Sequence, residues 1–342
     1  MNTRRATLFD LIHAGAPGDP ALIMPDGPTW TFADLRSQVE QLAAWLQHHG
    51  LGRGDRIAIA LGNGPAMAIT FLAAATAATA APLNPKYRRD EFAFYYEDTN
   101  ARALIVAPGE SEEARAALRP GMILIEAALD ATGRLTFTTT DTAGSPRRDG
   151  FAESDDIAMI LHTSGTTSRP KRVPIRHRNL VASTNNIIAT YQLSPADRSL
   201  CVMPLFHIHG IVASLLSQLA AGGAVVCPPG FDGLKFWSWV EQTRPTMQPQ
   251  GHVQVIVNTL DYGLHPQAAL DAPRWRWERD GTLRLELETP RHVIEGLTAR
   301  GHQVVVESEL GGFGRGQVIW RLASGSYVAG TEPRCDGLAI GW

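Results

Sequence analysis

Three short apolar runs narrow the folds open to this chain. Asp55-Arg56-Ile57-Ala58-Ile59-Ala60-Leu61, Ala101-Arg102-Ala103-Leu104-Ile105-Val106 and Ile157-Ala158-Met159-Ile160-Leu161 each have the length and character of a buried strand. Helix-length stretches separate them. Residues 33–49 place Leu35, Val39, Leu42 and Leu46 at helical spacing, and a second such stretch carries Phe92, Tyr95 and Tyr96. Strands alternating with helices predict an α/β fold on a mainly parallel sheet covered on both faces. Residues 66–82 form the longest run of low polarity, close to a minimal membrane span in length. Their content of mainly Ala and Thr predicts instead a tightly packed, buried helix. Ahead of the first run, Pro25-Asp26-Gly27-Pro28 reads as a turn and Thr29-Trp30-Thr31-Phe32 as strand.

Size and charge exclude some classes of function. A chain of 342 residues with 44% apolar content can bury one large core or two smaller ones. Its 31 basic and 34 acidic residues give a net charge of −3, which argues against a dedicated nucleic-acid or membrane partner. Cys201, Cys227 and Cys335 are widely spaced and form no CxxC, so neither a disulfide framework nor a zinc knuckle is expected. A reducing cytoplasm is the simplest setting. Arg4-Arg5 is followed by Asp10 and His13, which interrupt the apolar stretch a targeting peptide needs.

The chemistry concentrates after the third run, in Thr163-Ser164-Gly165-Thr166-Thr167-Ser168-Arg169-Pro170-Lys171-Arg172. A loop leaving a strand end offers free backbone N–H groups, and this one adds hydroxyls and the ammonium of Lys171, a combination suited to a polyphosphate. It is not a Walker A, because no second Gly directly precedes Lys171. Composition alone leaves a polar turn without a ligand equally open. The full string closely resembles the phosphate-loop signature of the adenylate-forming, AMP-binding superfamily, which includes acyl-CoA synthetases, luciferases and peptide-synthetase adenylation domains. By that resemblance Thr163, Ser164, Gly165, Thr166, Thr167 and Lys171 would hold the β- and γ-phosphates of ATP. A helix capped by Asn179 and running through Val181, Ile187, Ile188 and Tyr191 is expected to turn its N-terminal dipole back toward the loop.

Downstream, Ser199-Leu200-Cys201-Val202-Met203-Pro204 reads as a strand that delivers His207 and His209. No carboxylate or Cys stands at ligand spacing from this pair, so no metal site is expected. A structural role for either His stays open on the residues alone. The resemblance implies that His207, which follows the aromatic Phe206, lines the acyl site. Ser168-Arg169 and Leu205-Phe206-His207-Ile208-His209-Gly210 are similar to the oxalate–CoA ligase branch. Arg172 stands where a Gly is usual, and could crowd the loop or contact phosphate. The connection Ala81-Pro82-Leu83-Asn84-Pro85-Lys86-Tyr87-Arg88-Arg89 also resembles that of acyl-CoA synthetases, and no catalytic role is assigned to it.

The resemblance runs through Gly222-Gly223-Ala224-Val225-Val226 and an amphipathic helix from Phe236 to about Thr246, then stops. For such a family it implies attack of a carboxylate on the α-phosphorus of ATP, with Mg²⁺ accompanying the nucleotide, and then capture of the acyl group by CoA. The family's adenine-binding loop, ribose-holding Asp, hinge and catalytic Lys are not found in residues 247–342. Tyr327-Val328-Ala329-Gly330-Thr331-Glu332 and Cys335-Asp336-Gly337 are poor substitutes and read as turns.

Residues 247–342 resemble instead the C-terminal part of γ-glutamyltranspeptidase-like proteins, on His252-Val253-Gln254-Val255-Ile256-Val257-Asn258, Asp261-Tyr262-Gly263-Leu264-His265-Pro266, Gly311-Gly312-Phe313-Gly314 and Glu332-Pro333-Arg334-Cys335-Asp336-Gly337. Val253, Val255 and Val257 read as one face of a strand, and Pro266 and Pro273 bracket a helix. Residues 283–288 alternate as a half-buried strand, residues 292–300 read as a helix, and Val304-Val305-Val306 as a final buried strand. The resemblance implies part of a helix–sheet–sheet–helix, Ntn-hydrolase-like sandwich without its nucleophilic Thr. The chain thus reads as a truncated AMP-binding region, residues 1–246, joined to a truncated γ-glutamyltranspeptidase-like region, residues 247–342. Carboxylate activation with ATP and CoA, with oxalate as a candidate acid, is the expected function by lineage, with no complete set of catalytic residues. The alternatives are a γ-glutamyl transferase or hydrolase fragment and a non-catalytic fusion product with residual nucleotide-phosphate binding. Oligomeric state is left open.

Overall fold

The computed structural model describes residues 6–141, 144–162, 170–232, 235–246, 250–278, 280–308, 312–322 and 324–335. It divides into two compact units, Met1–Met247 and Gln248–Trp342.

The first unit contains strands β1 (Pro20–Ile23), β2 (Thr29–Thr31), β3 (Arg56–Ala60), β4 (Thr79–Pro82), β5 (Ala103–Val106), β6 (Ile123–Leu129), β7 (Leu135–Thr138), β8 (Ile157–His162), β9 (Arg172–Arg176), β10 (Arg198–Leu200) and β11 (Ala224–Val226). Seven of them form one sheet in the order β7-β6-β5-β3-β4-β8-β9, parallel through its centre and antiparallel at both edges. Four form a second sheet, β10-β11-β1-β2. Alternate residues of the central strands feed opposite cores, as the period of a pleated strand requires. Ile57, Ile59 and Ile105 join a cluster that includes Leu22 of β1, Val225 of β11 and Phe71 and Leu72 of the helix Pro65–Ala77. Ala58, Ala60, Leu104 and Val106 face Phe92 and Tyr96 of the helix Arg89–Thr99. The parallel, doubly covered sheet expected from the sequence is therefore present.

Several local expectations change. The run 66–82 is not one helix: the helix ends at Ala77 and residues Thr79–Pro82 form β4. Thr79 N donates to Asp55 O at 2.9 Å, so pairing beside β3 outweighs the helical propensity of the Ala run. The helix His177–Tyr191 starts after Arg176, and Asn179 sits inside its first turn with Oδ1 accepting from Arg176 N at 3.3 Å. That helix begins at the far end of β9 from the loop, since β9 pairs antiparallel with β8 and sets Arg176 opposite Ile157. Four strand steps, roughly 14 Å, intervene. Its N-terminus therefore starts beside Ile157 and not at the β8 exit, His162.

The second unit holds β12 (Trp275–Trp277), β13 (Thr282–Glu286) and β14 (Gln303–Glu307) in a three-stranded sheet of that order, and a hairpin of β15 (Gln317–Arg321) with β16 (Tyr327–Thr331). The helices Pro266–Asp271 and Arg291–Ala299 lie where the sequence predicts. Residues 253–257 do not form a strand: Gln250–Ile256 is α-helical and continues as a π-helical turn, Val257–Asp261. The alternating Val pattern misleads because Gln254, between two of them, turns inward and pairs with Trp275 as a strand edge would. Its Nε2 donates to Trp275 O and its Oε1 accepts from Trp275 N, both at 2.9 Å. Val304-Val305-Val306 is neither final nor fully buried, with Val305 37% and Val306 39% exposed on an edge strand. The segment read as a turn at 327–332 is β16, and it ends on Glu332 inside a buried charge cluster. Asp336 and Gly337 lie outside the described residues.

Candidate functional site

In a parallel sheet the loops at the C-terminal strand ends form the natural ligand crevice. β4 and β8 are neighbours here, and their exits, residues 82–87 and His162, meet the turn that follows β10. Together they enclose a small cavity of about 30 Å³ lined in part by Asn84, Tyr87, Tyr95, His162, Phe206 and His207. That is about the room of one water. Tyr87 stacks on Tyr95 with centroids 5.0 Å apart, and Tyr95 meets the His162 ring at 4.6 Å. Burial, reinforced by a hydrogen bond that the Tyr95 hydroxyl donates to Tyr87, pushes the Tyr95 phenol above its ordinary range, so it stays neutral.

Two residues shape the turn that carries His207. Asn63, just after β3, donates from Nδ2 to Met203 O at 3.2 Å and to Cys201 O at 3.4 Å, while its Oδ1 accepts from Leu205 N at 2.8 Å. Gly210 lies so close beneath the turn that a Cβ there would stand 2.3 Å from Pro204 O. Only Gly admits that approach. His207 itself is exposed at the cavity rim. His209, also exposed, opens a π-helical stretch, His209–Leu216, and does not line the cavity.

Thr163, Ser164, Gly165, Thr166 and Thr167 lie outside the described residues. Lys171 is exposed just ahead of β9. Arg172, whose role the sequence leaves open, turns to the helix Arg89–Thr99: its guanidinium donates to Asp98 O, and Nε stands 3.9 Å from Asp98 Oδ2. The structure thus brings His207 beside His162, which immediately precedes Thr163. Sequence reasoning missed Asn63, Asp98 and the lining role of residues 82–87; the resemblance of the 81–91 connection was the available signal for the last of these. Among the described residues no three His, Cys, Asp or Glu side chains gather as a metal cage, and no helix is long and apolar enough to cross a membrane.

A wider cleft of about 360 Å³ is remote from these residues in the fold, between the helix Phe32–His48 and the β6–β7 turn. Its polar side chains serve the scaffold. Asp34 completes the capping box with Thr31, and Gln38 binds Gly133 O and Leu135 N.

Residues 10–262 match the family model described as AMP-binding enzyme. The chain belongs to the AMP-binding enzymes. This AMP-binding chain is 38% identical over 253 residues to the oxalate–CoA ligase of Saccharomyces cerevisiae, covering 64% of itself and 46% of the relative. To the oxalate–CoA ligase of Arabidopsis thaliana it is 36% identical, covering 73% of itself and 50% of the relative. It spans about half the length of the curated relatives it matches. Among solved structures, apo MatB from Rhodopseudomonas palustris aligns with a TM-score of 0.59 at 25% identity, over 69% of this chain and 48% of that one. The o-succinylbenzoate CoA synthetase MenE of Bacillus subtilis, in complex with the acyl-adenylate OSB-AMP, aligns at 0.57 and 27% identity, over 70% and 60%. A second family model, gamma-glutamyltranspeptidase, matches residues 245–342, so the two matches overlap at 245–262.

Proposed function

We propose that the chain is an acyl-CoA ligase by lineage, of the branch that activates short acids such as oxalate, and that it retains a phosphate-binding frame without a complete catalytic site. The carrying observation is the change of family at the end of the first unit. Thr246 N donates to Arg198 O at 2.8 Å, so the chain has begun to pair beside β10, and the second family's match has already started. We place the join near Thr246 and Met247, where the two compact units divide.

In this reading Thr163, Ser164, Gly165, Thr166, Thr167 and Lys171 contact the β- and γ-phosphates of ATP, and His207 borders the carboxylate. Charge stabilisation by N–H donors and a cation is the part the protein plays in phosphoryl chemistry. CoA is the acyl acceptor in the lineage. Mg²⁺ would arrive on the nucleotide, as it usually does when protein carboxylates are few, and the described residues offer no cage of their own. Carboxylate-dependent ATP–pyrophosphate exchange tests the reading. No exchange is expected with oxalate or other short acids, and robust exchange that Lys171→Ala abolishes would sink the claim of incompleteness.

The match of residues 245–342 supports a second reading, a γ-glutamyl transferase or hydrolase fragment. Glutamate release from a γ-glutamyl amide would favour it. No nucleophilic Thr in this chain has the required context.

A further inference from the structure

β8 and β9 form an antiparallel pair in which His162 stands opposite Arg172. The loop of residues 163–171 therefore springs from a single cross-strand pair, and both members reach the same acid. His162 Nε2 is 2.9 Å from Asp98 Oδ2, and because a carboxylate only accepts, Nε2 carries the proton and donates. Arg172 donates to the main-chain carbonyl of Asp98 and keeps Nε 3.9 Å from the same Oδ2.

The surroundings separate the two arms. The His162 side chain is 6% exposed and Asp98 32%, whereas Arg172 is 49% exposed. The histidine arm is shielded from water and holds its geometry; the arginine arm is screened. Tyr95, three residues before Asp98 on the same helix face, packs its ring against His162 and leaves the imidazole little freedom. Asp98 is also the next-to-last residue of the helix Arg89–Thr99, where a negative charge opposes the helix dipole. Its last-turn carbonyl lacks an intrahelical partner, and Arg172 supplies one.

We propose that Asp98 is a positioning residue that holds His162 through its carboxylate and Arg172 through its carboxylate and carbonyl, so that the two described residues flanking the proposed phosphate segment keep a fixed register when a diphosphate or triphosphate binds. Ordering the two ends before a ligand arrives lowers the conformational cost of binding. The ligand part of this inference rests on the phosphate reading given above; the positioning part does not.

The test uses the full chain with Asp98→Ala and Asp98→Asn, read by amide hydrogen exchange without ligand and by calorimetric titration with inorganic pyrophosphate. Asp98→Ala is expected to speed exchange about tenfold at the hairpin ends, residues 160–162 and 172–174, and to weaken pyrophosphate binding about tenfold, the factor that loss of one charge-assisted hydrogen bond carries. Asp98→Asn, which keeps an acceptor oxygen, is expected to fall between the two. Unchanged exchange at the hairpin ends in Asp98→Ala would overturn the proposal, as would an increase spread equally into β3 and β5, which marks general loosening of the fold. If the unaltered chain takes up no pyrophosphate, the phosphate reading falls, while the exchange result still decides the role of Asp98.

Discussion

His177 is a buried residue with a measurable consequence. It follows β9, is 0% exposed, and accepts from Leu8 N at its Nδ1 over 3.1 Å, so its other nitrogen carries the proton. Burial lowers its pKa to about 4, against the pull of Asp156 and Asp10. The unfolded chain, with an ordinary pKa near 6.5, takes up a proton that the folded chain refuses. Stability is therefore whole above about pH 6.5 and declines as the pH falls toward 4, by roughly 3 kcal/mol from this group. Urea denaturation of the first unit at pH 7.5 and pH 5 checks the sign, and a stability independent of pH in that window would contradict it. At this scale the sequence singled out Lys171 and His207 through their motifs. It could not expose Asn63 or Asp98, because each acts on residues far along the chain: Asn63 on Cys201, Met203 and Leu205, and Asp98 on His162 and Arg172.

At the scale of the elements, the thirteen-residue helix Pro65–Ala77 is almost wholly enclosed, with every residue but Ala66 buried. An Ala-rich helix gives up side-chain volume for close approach, and it packs here on the helix Phe32–His48 and on the sheet. Thr70 leaves its hydroxyl buried without a hydrogen-bond partner. Replacing that hydroxyl by a methyl removes an unsatisfied polar atom at nearly constant volume, so Thr70→Val is expected to stabilise the unit by about 1 kcal/mol. A rise in the denaturation midpoint is the observable, and a fall would mean the hydroxyl has a use. Three strands of the central sheet, β3, β5 and β8, were legible because each is a compact apolar run. The break at Ala78 was not, since Ala and Thr carry no periodicity and only pairing beside β3 ends the helix. The helix Gln250–Ile256 was misread because alternating Val residues mimic a half-buried strand, and the bonds of Gln254 to Trp275 lie across the tertiary structure.

At the scale of the molecule, each unit has its own way of holding together. The first rests on one large apolar cluster and a smaller one behind its sheet. The second gathers Arg274, Glu286, Glu332 and Arg334, with side chains between 0% and 5% exposed. Glu332 Oε2 accepts from Arg274 at 2.6 Å and Oε1 from Arg334 at 2.8 Å, Arg334 also pairs with Glu286, and Glu286 Oε2 accepts from Arg274 N at 2.8 Å. Two cations and two anions balance, and removing one anion leaves a buried charge unpaired. Glu332→Gln is expected to cost the second unit about 3–5 kcal/mol, seen as faster amide exchange in β13 and β16 with β3 and β5 unchanged. Equal protection in the variant and the parent would refute the claim. The sequence alone determined the α/β class, the AMP-binding ancestry of the first part and the γ-glutamyltranspeptidase resemblance of the last, because apolar periodicity and motif strings are local properties. Only the tertiary structure decided that His207 meets His162 at one cavity, that Arg172 turns to Asp98, and that Glu332 closes a buried charge cluster. Those are contacts between residues distant in the chain, and their partners are chosen by folding.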